Sequence, residues 1–153
     1  MVHFHDYPPE GQSRLLDQEL PAFDTQPWVE GPPLAQRRIA IVTTAGLHKK
    51  GDRPFGPMNG EYRIIPGDTP SADIMMSHVS ANYDRTGFQQ DVNVVLPLEL
   101  LRNLAADGTI GSVAEFHYSF MGATPPDRME AAARDLAAVM KGDGVDTVLL
   151  VPV

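Results

Sequence analysis

The sequence predicts an α/β domain: a mainly parallel open sheet with flanking helices, of the Rossmann-like or flavodoxin-like kind, preceded by an irregular proline-rich N-terminal arm. Three observations predict it. Short continuous apolar runs at residues 37–44, 92–96 and 145–151 have the pattern of strands buried on both faces, as in parallel sheets. Between and after them, Leu98, Leu101, Leu104 and Ala105, and later Met129, Ala132, Ala133, Leu136, Val139 and Met140, recur at helical spacing. Strands that alternate with helices in this way build parallel sheets.

The arm covers residues 1–36, and the α/β domain residues 37–153. Pro8, Pro9, Pro21, Pro27, Pro32 and Pro33 forbid a long regular element in the arm, although residues 13–20 suit one short helix. Phe23, Trp28, Val29 and Leu34 are more apolar than a disordered tail requires, so the arm is expected to pack on the body or on a partner subunit.

The first buried strand, RRIAIVTT, ends at Ala45-Gly46. Residues 47–60 carry Gly51, Pro54, Gly56, Pro57 and Gly60 and are expected to be a loop. Residues 62–65 and 73–79 follow as short strands, and residues 80–91 as a polar loop. The run at 92–96 is expected to be a strand that enters Pro97, with proline at the first helical position and Gly108 past the helix end. Residues 109–123 fit no single pattern. Thr124-Pro125-Pro126-Asp127 resembles a capping box before the clearest helix, with Gly142 as its C-cap. Residues 145–151, VDTVLLV, form the last strand.

Composition narrows function. The 153 residues carry a formal charge of -8 and no cysteine. An acidic chain does not suit general nucleic-acid or anionic-membrane binding. The missing cysteines exclude disulfides, thiolate metal sites and a cysteine nucleophile in this chain. No apolar run approaches the ~20 residues of a membrane span, and the first residues lack a secretory pattern, so a cytoplasmic location is expected. No HExxH pattern is present, and no metal is expected.

Ligands of open α/β sheets bind beyond the carboxyl ends of the strands, which makes the first strand-to-loop junction the leading candidate. There Thr43 and Thr44 offer hydroxyls, Gly46 allows close backbone approach, and His48 stands beside two lysines. The fingerprints GxGxxG and GxxxxGK[ST] are absent. In the SHVSANYD segment, His78 and Asp84 suit a general base and its orienter, or substrate binding, and a structural histidine is the alternative. Asp91 and Asn93 suit side-chain bonds to loop backbone. His117, in HYSFMG, either lines a pocket or lies in the core. The candidate substrate-binding set is Thr43, Thr44, Gly46, His48, His78, Asp84 and His117.

The segments RRIAIVTTAGLHKKGDRPF, DIMMSHVSANYD, DVNVVLPLELLRNLAADGTIGSVAEFHYSFMG and DGVDTVLLVPV occur in that order. Together they resemble the selenoprotein B family of glycine, sarcosine and betaine reductases and the related D-proline reductase subunit, over about residues 20–153. One departure is Asn82, where the family commonly has a second histidine before the Tyr-Asp pair.

The resemblance implies reductive cleavage of an amino-acid C–N bond by a selenolate, with a partner subunit whose pyruvoyl group holds the substrate amine and a thiol electron donor. It places a selenocysteine just after the strand that ends here at Val153. The expectation is therefore the N-terminal portion of such a subunit, ending where a UGA codon would fall, and inactive alone. A non-catalytic scaffold docking to a reductase partner is the alternative. A hydrolase or lyase using His78 and Asp84 is weakened by the absence of a GxSxG elbow. A fragment would expose an apolar face on its last strand and dimerise or be only marginally stable.

Overall fold

A computed structural model of the chain describes residues 3–17, 22 and 28–153. The arm contains helix α1, Pro9–Leu16. It starts four residues earlier than expected because Pro9 supplies the fixed φ of a first helical turn. The rest of the expected 13–20 helix, and Phe23, lie outside the described residues. Trp28 and Val29 are 87% and 83% exposed, so this stretch of the arm is not packed into the body.

The central strand β1, Arg38–Thr43, is buried almost throughout, as its apolar run requires. On one side it pairs in parallel with β7, Thr147–Val151, over five residues, Ile39 to Thr43. On the other side it pairs in parallel with β5, Ser112–Val113, and then with β6, Phe116–Ser119. The strand β3, Arg63–Pro66, completes the sheet antiparallel to β6. A separate two-stranded ladder joins β2, Leu47–Lys49, to β4, Ile74–Met76. The α/β class with a mainly parallel sheet is thus present, and the ambiguous residues 109–123 contribute two of its strands.

Both faces of the central strand β1 are covered. On one, Ile39 and Ile41 of β1 join Leu98 and Leu101 of helix α3, Leu98–Ala106, in the larger core. On the other, Val42, Tyr118 and Phe120 meet Leu136, Met129, Ala132 and Met140 of helix α4, Pro126–Gly142. The alternation along β1 sends adjacent residues to opposite faces and explains the division.

Several expectations are corrected. Residues 92–96 are not a strand: Val92–Val94 is a 3-10 turn, because the Asp91 carboxylate accepts the Asn93 N–H at 2.8 Å and folds the chain back. The 80–91 loop contains helix α2, Thr86–Gln90. Pro97 precedes the first helical residue of α3. Thr124 makes no capping box. Pro125 is the N-cap of α4, and the Thr124 hydroxyl donates to the Asn59 carbonyl at 2.9 Å. Helix α4 runs through Gly142, and the left-handed residue that ends it is Gly144, φ +70°. The last strand is not buried: β7 has no strand on its outer side among the described residues, and Leu150 is 69% exposed. No helix among them is long and apolar enough to cross a membrane.

Candidate functional site

The carboxyl ends of β1, β6 and β7 converge, and the connections that leave them are tied together by backbone. After β1, Gly46 N–H donates to the Phe120 carbonyl at 2.9 Å, and Gly122 N–H donates to the Thr44 carbonyl at 2.8 Å. Gly46 has φ +67°, and a Cβ there would lie 3.1 Å from the His78 backbone, so only glycine fits. A Cβ on Gly122 would come within 2.5 Å of the Val153 carbonyl oxygen.

The hydroxyls expected to meet a ligand are engaged by backbone. Thr43 is fully buried, and its Oγ1 accepts the Ala45 N–H at 3.2 Å. Thr44 Oγ1 accepts the Val153 N–H at 2.8 Å, which binds the end of β7 to the junction. Ser119 Oγ accepts the Leu47 N–H at 2.7 Å.

His78 reaches this end from the loop after β4. The Ser77 N–H donates to the Gly46 carbonyl at 3.0 Å, which pulls the chain out of the β4 ladder and ends that strand early. The imidazole is buried against the Tyr83 ring, with centroids 4.9 Å apart. Its Nδ1 accepts the Ser80 N–H at 3.2 Å, which puts the proton of the neutral ring on Nε2. That Nε2 is buried without a partner among the described residues. Burial, and secondarily the Arg85 guanidinium, hold the His78 pKa below its ordinary value. Arg85 fastens the loop by donating to the carbonyls of His78 at 2.5 Å and Ser80 at 3.0 Å.

Asp84 does not orient His78. Its Oδ1 accepts from the Thr86 N–H at 2.9 Å and the Thr86 hydroxyl at 2.7 Å, and these bonds lower its pKa. His48 lies on β2, buried, with Nδ1 3.1 Å from the Lys49 carbonyl. His117 lies back from the strand ends, fully buried between β1 and β6. The structure therefore brings Thr44, Gly46 and His78 together, leaves Asp84 exposed, and takes Thr43 and His117 into the core.

Sequence reasoning missed Arg63 and Phe55. The antiparallel register sets Arg63 opposite Ser119, which itself pairs with Thr43, so an arginine stands in the row of residues at the strand ends. Its guanidinium lies over the Phe55 ring at 4.5 Å. The Phe55 N–H donates to Ser77 Oγ at 2.8 Å, linking that stack to the residue before His78. No spacing signal marks these two, because the antiparallel return of β3 brings Arg63 there.

An α/β domain whose connecting loops are tied together at the strand ends, with no thiol of its own, is the class these observations define. The chain matches the family model described as glycine/sarcosine/betaine reductase selenoprotein B over residues 17–153, and it belongs to that family. It is 36% identical over 121 residues to D-proline reductase subunit gamma of Acetoanaerobium sticklandii, covering 76% of this chain and 49% of that protein. It is 30% identical over 152 residues to glycine reductase complex component B subunit gamma of Symbiobacterium thermophilum, covering 92% of this chain and 34% of that protein. A third relative is betaine reductase complex component B subunit beta of Peptoclostridium acidaminophilum, 36% identical over 125 residues, 76% of this chain and 28% of that protein. The chain thus spans half or less of the length of these relatives. No solved structure matches it.

Proposed function

We propose that this chain is the N-terminal part of a reductase subunit that cleaves the C–N bond of a small amino acid or its N-methylated derivative, and that it works only within a larger assembly. The family match across residues 17–153 carries the reading. The chemistry replaces a C–N bond with C–H: two electrons from a thiol pair enter, and the nitrogen leaves as ammonia or an amine. This chain has no cysteine, so its nucleophile comes from elsewhere. A selenolate would supply the nucleophile, and a pyruvoyl carbonyl on a partner an electron sink for the amine.

The chain's own residues fit a group introduced at the strand ends. Gly46 and Gly122 let the backbone segments at that end pack closely against one another, and among the described residues His78 holds an unpartnered buried Nε2 beside them. In this reading the His78 loop shapes the crevice wall, and the neutral imidazole offers an Nε2 proton without bringing a charge. Thr44 fixes the direction of β7. The outer edge of β7, unpaired among the described residues, supports docking to further polypeptide, whether the rest of the subunit, a partner or a second copy. A cytoplasmic site of action accompanies the reading.

The test is reconstitution. The chain is combined with a pyruvoyl-type partner, and with the second half of a homologous subunit as a separate polypeptide. Dithiol-dependent nitrogen release from glycine, sarcosine and betaine, and ring opening of D-proline, are then measured. Activity in the full mixture and none from the chain alone supports the proposal. Turnover by the chain alone, or a full mixture with neither activity nor association, overturns it. Stable association without activity favours the scaffold reading.

A further inference from the structure

We propose that Arg63 is the carboxylate-recognising residue of this domain, and that its ligand class is the small amino-acid carboxylate; the assignment rests on the proposed reductase reading for its biological meaning. The guanidinium is held from behind. Its Nε donates to the Arg53 carbonyl at 2.9 Å, its Nη1 donates to the Tyr62 carbonyl at 3.1 Å, and Phe55 covers one face. The side chain is 11% exposed. Nη2 is what remains, and the second contact of Nη1 is long. Nη2 is buried with no partner among the described residues. Glu61, itself 70% exposed, reaches Nη1 only at 3.5 Å. That is well beyond the ~2.7–2.9 Å of a charge-assisted bond. A buried guanidinium with idle N–H groups is costly unless something completes it. A free carboxylate accepting from Nη2, and taking over from Glu61 on Nη1, would complete it.

Location and charge support the same ligand. Arg63 stands in the strand-end row with Ser119 and Thr43, and Phe55 ties it to the His78 loop. From residue 48 to residue 63 the chain carries Lys49, Lys50, Arg53 and Arg63 against Asp52 and Glu61, a surplus of two positive charges in a chain of net charge -8. Glycine, sarcosine, betaine and proline, the compounds in the names of the family and its relatives, differ at nitrogen and, for proline, at Cα, and share a carboxylate. An arginine that reads the carboxylate alone suits all of them.

The experiment is an NMR titration of the 153-residue chain with sodium acetate and then with betaine, against sodium chloride at equal ionic strength. The expected result is a saturable shift of the Arg63 Nε–H and of the Phe55 and Ile64 amides with both carboxylates and none with chloride. Arg63→Gln should weaken binding about tenfold or more, and Arg63→Lys, which keeps the charge and loses the fork, by less. Arg134→Gln, on the exposed surface of α4, should leave it unchanged. Shifts matched by chloride, or an affinity that Arg63→Gln leaves intact, would overturn the assignment. If Arg63→Gln does not fold, the titration of the unaltered chain decides alone. Because binding is read without turnover, failure here is separable from failure of the reductase reading.

Discussion

The Nδ1 of His117 accepts the backbone N–H of Ile41 at 3.0 Å, so an imidazole stands where a peptide carbonyl would complete the sheet. The register explains why. Arg38 pairs with Ser112 and Val42 with Tyr118, so four steps along β1 meet six along its neighbour. The two extra residues form a bulge, and the side chain of His117 fills the missing acceptor position.

That bond requires a neutral ring, and burial, aided by Arg102, lowers the His117 pKa to about 4. A folded pKa below the unfolded value means stability that is complete above about pH 6.5 and lost as pH falls toward 4. The loss is of the order of 3 kcal/mol. Denaturant melts from pH 7 to 4 should show a fall in stability that His117→Asn, which does not titrate there, shows less steeply. Equal slopes would remove His117 as the cause.

Arg85→Gln should loosen the loop it fastens and remove one of the two causes that lower the His78 pKa. The His78 ring should then titrate closer to its ordinary value, and the Ser80 amide should exchange faster. Proton NMR of the ring and hydrogen exchange read both, and an unshifted titration would show that burial alone sets it.

Thr44→Val should free the Val153 amide and cost about 0.5–1.5 kcal/mol, while Thr44→Ser should restore the bond. Gly122→Ala should cost about 1–3 kcal/mol by driving a methyl group against the Val153 carbonyl. Thermal melts of the three variants test this, and a neutral Gly122→Ala would mean that the end of β7 can shift aside.

Trp28, the single tryptophan, should emit as a water-exposed indole and be readily quenched by iodide. It borders an apolar groove of about 550 Å³ that Val148 and Leu150 of β7 share with Leu136 and Met140 of α4. Self-association through this face should blue-shift the emission as concentration rises, and Leu150→Lys should suppress the shift. Concentration-independent sedimentation as a monomer would count against it.

The sequence by itself determined the class of fold, the central strand, the two longer helices and the family. Those features rest on local periodicity and on ordered motifs, which survive without knowledge of partners. Tertiary structure alone decided the rest. Residues 92–96 have the composition of a strand, but Asp91 offers a side-chain acceptor two residues away and turns them. Residues 145–151 have the pattern of a buried strand, yet among the described residues β7 pairs only with β1, and hydropathy cannot report which edge of a sheet is covered. His117 and His78 look alike in sequence. One became part of the sheet through a two-residue change of register, and the other reached the strand ends through the Ser77–Gly46 bond. Arg63 carries no motif, and only the antiparallel return of β3 sets its charge beside the carboxyl ends of parallel strands. Such placements depend on contacts between residues far apart in the chain, whose energies no local pattern encodes.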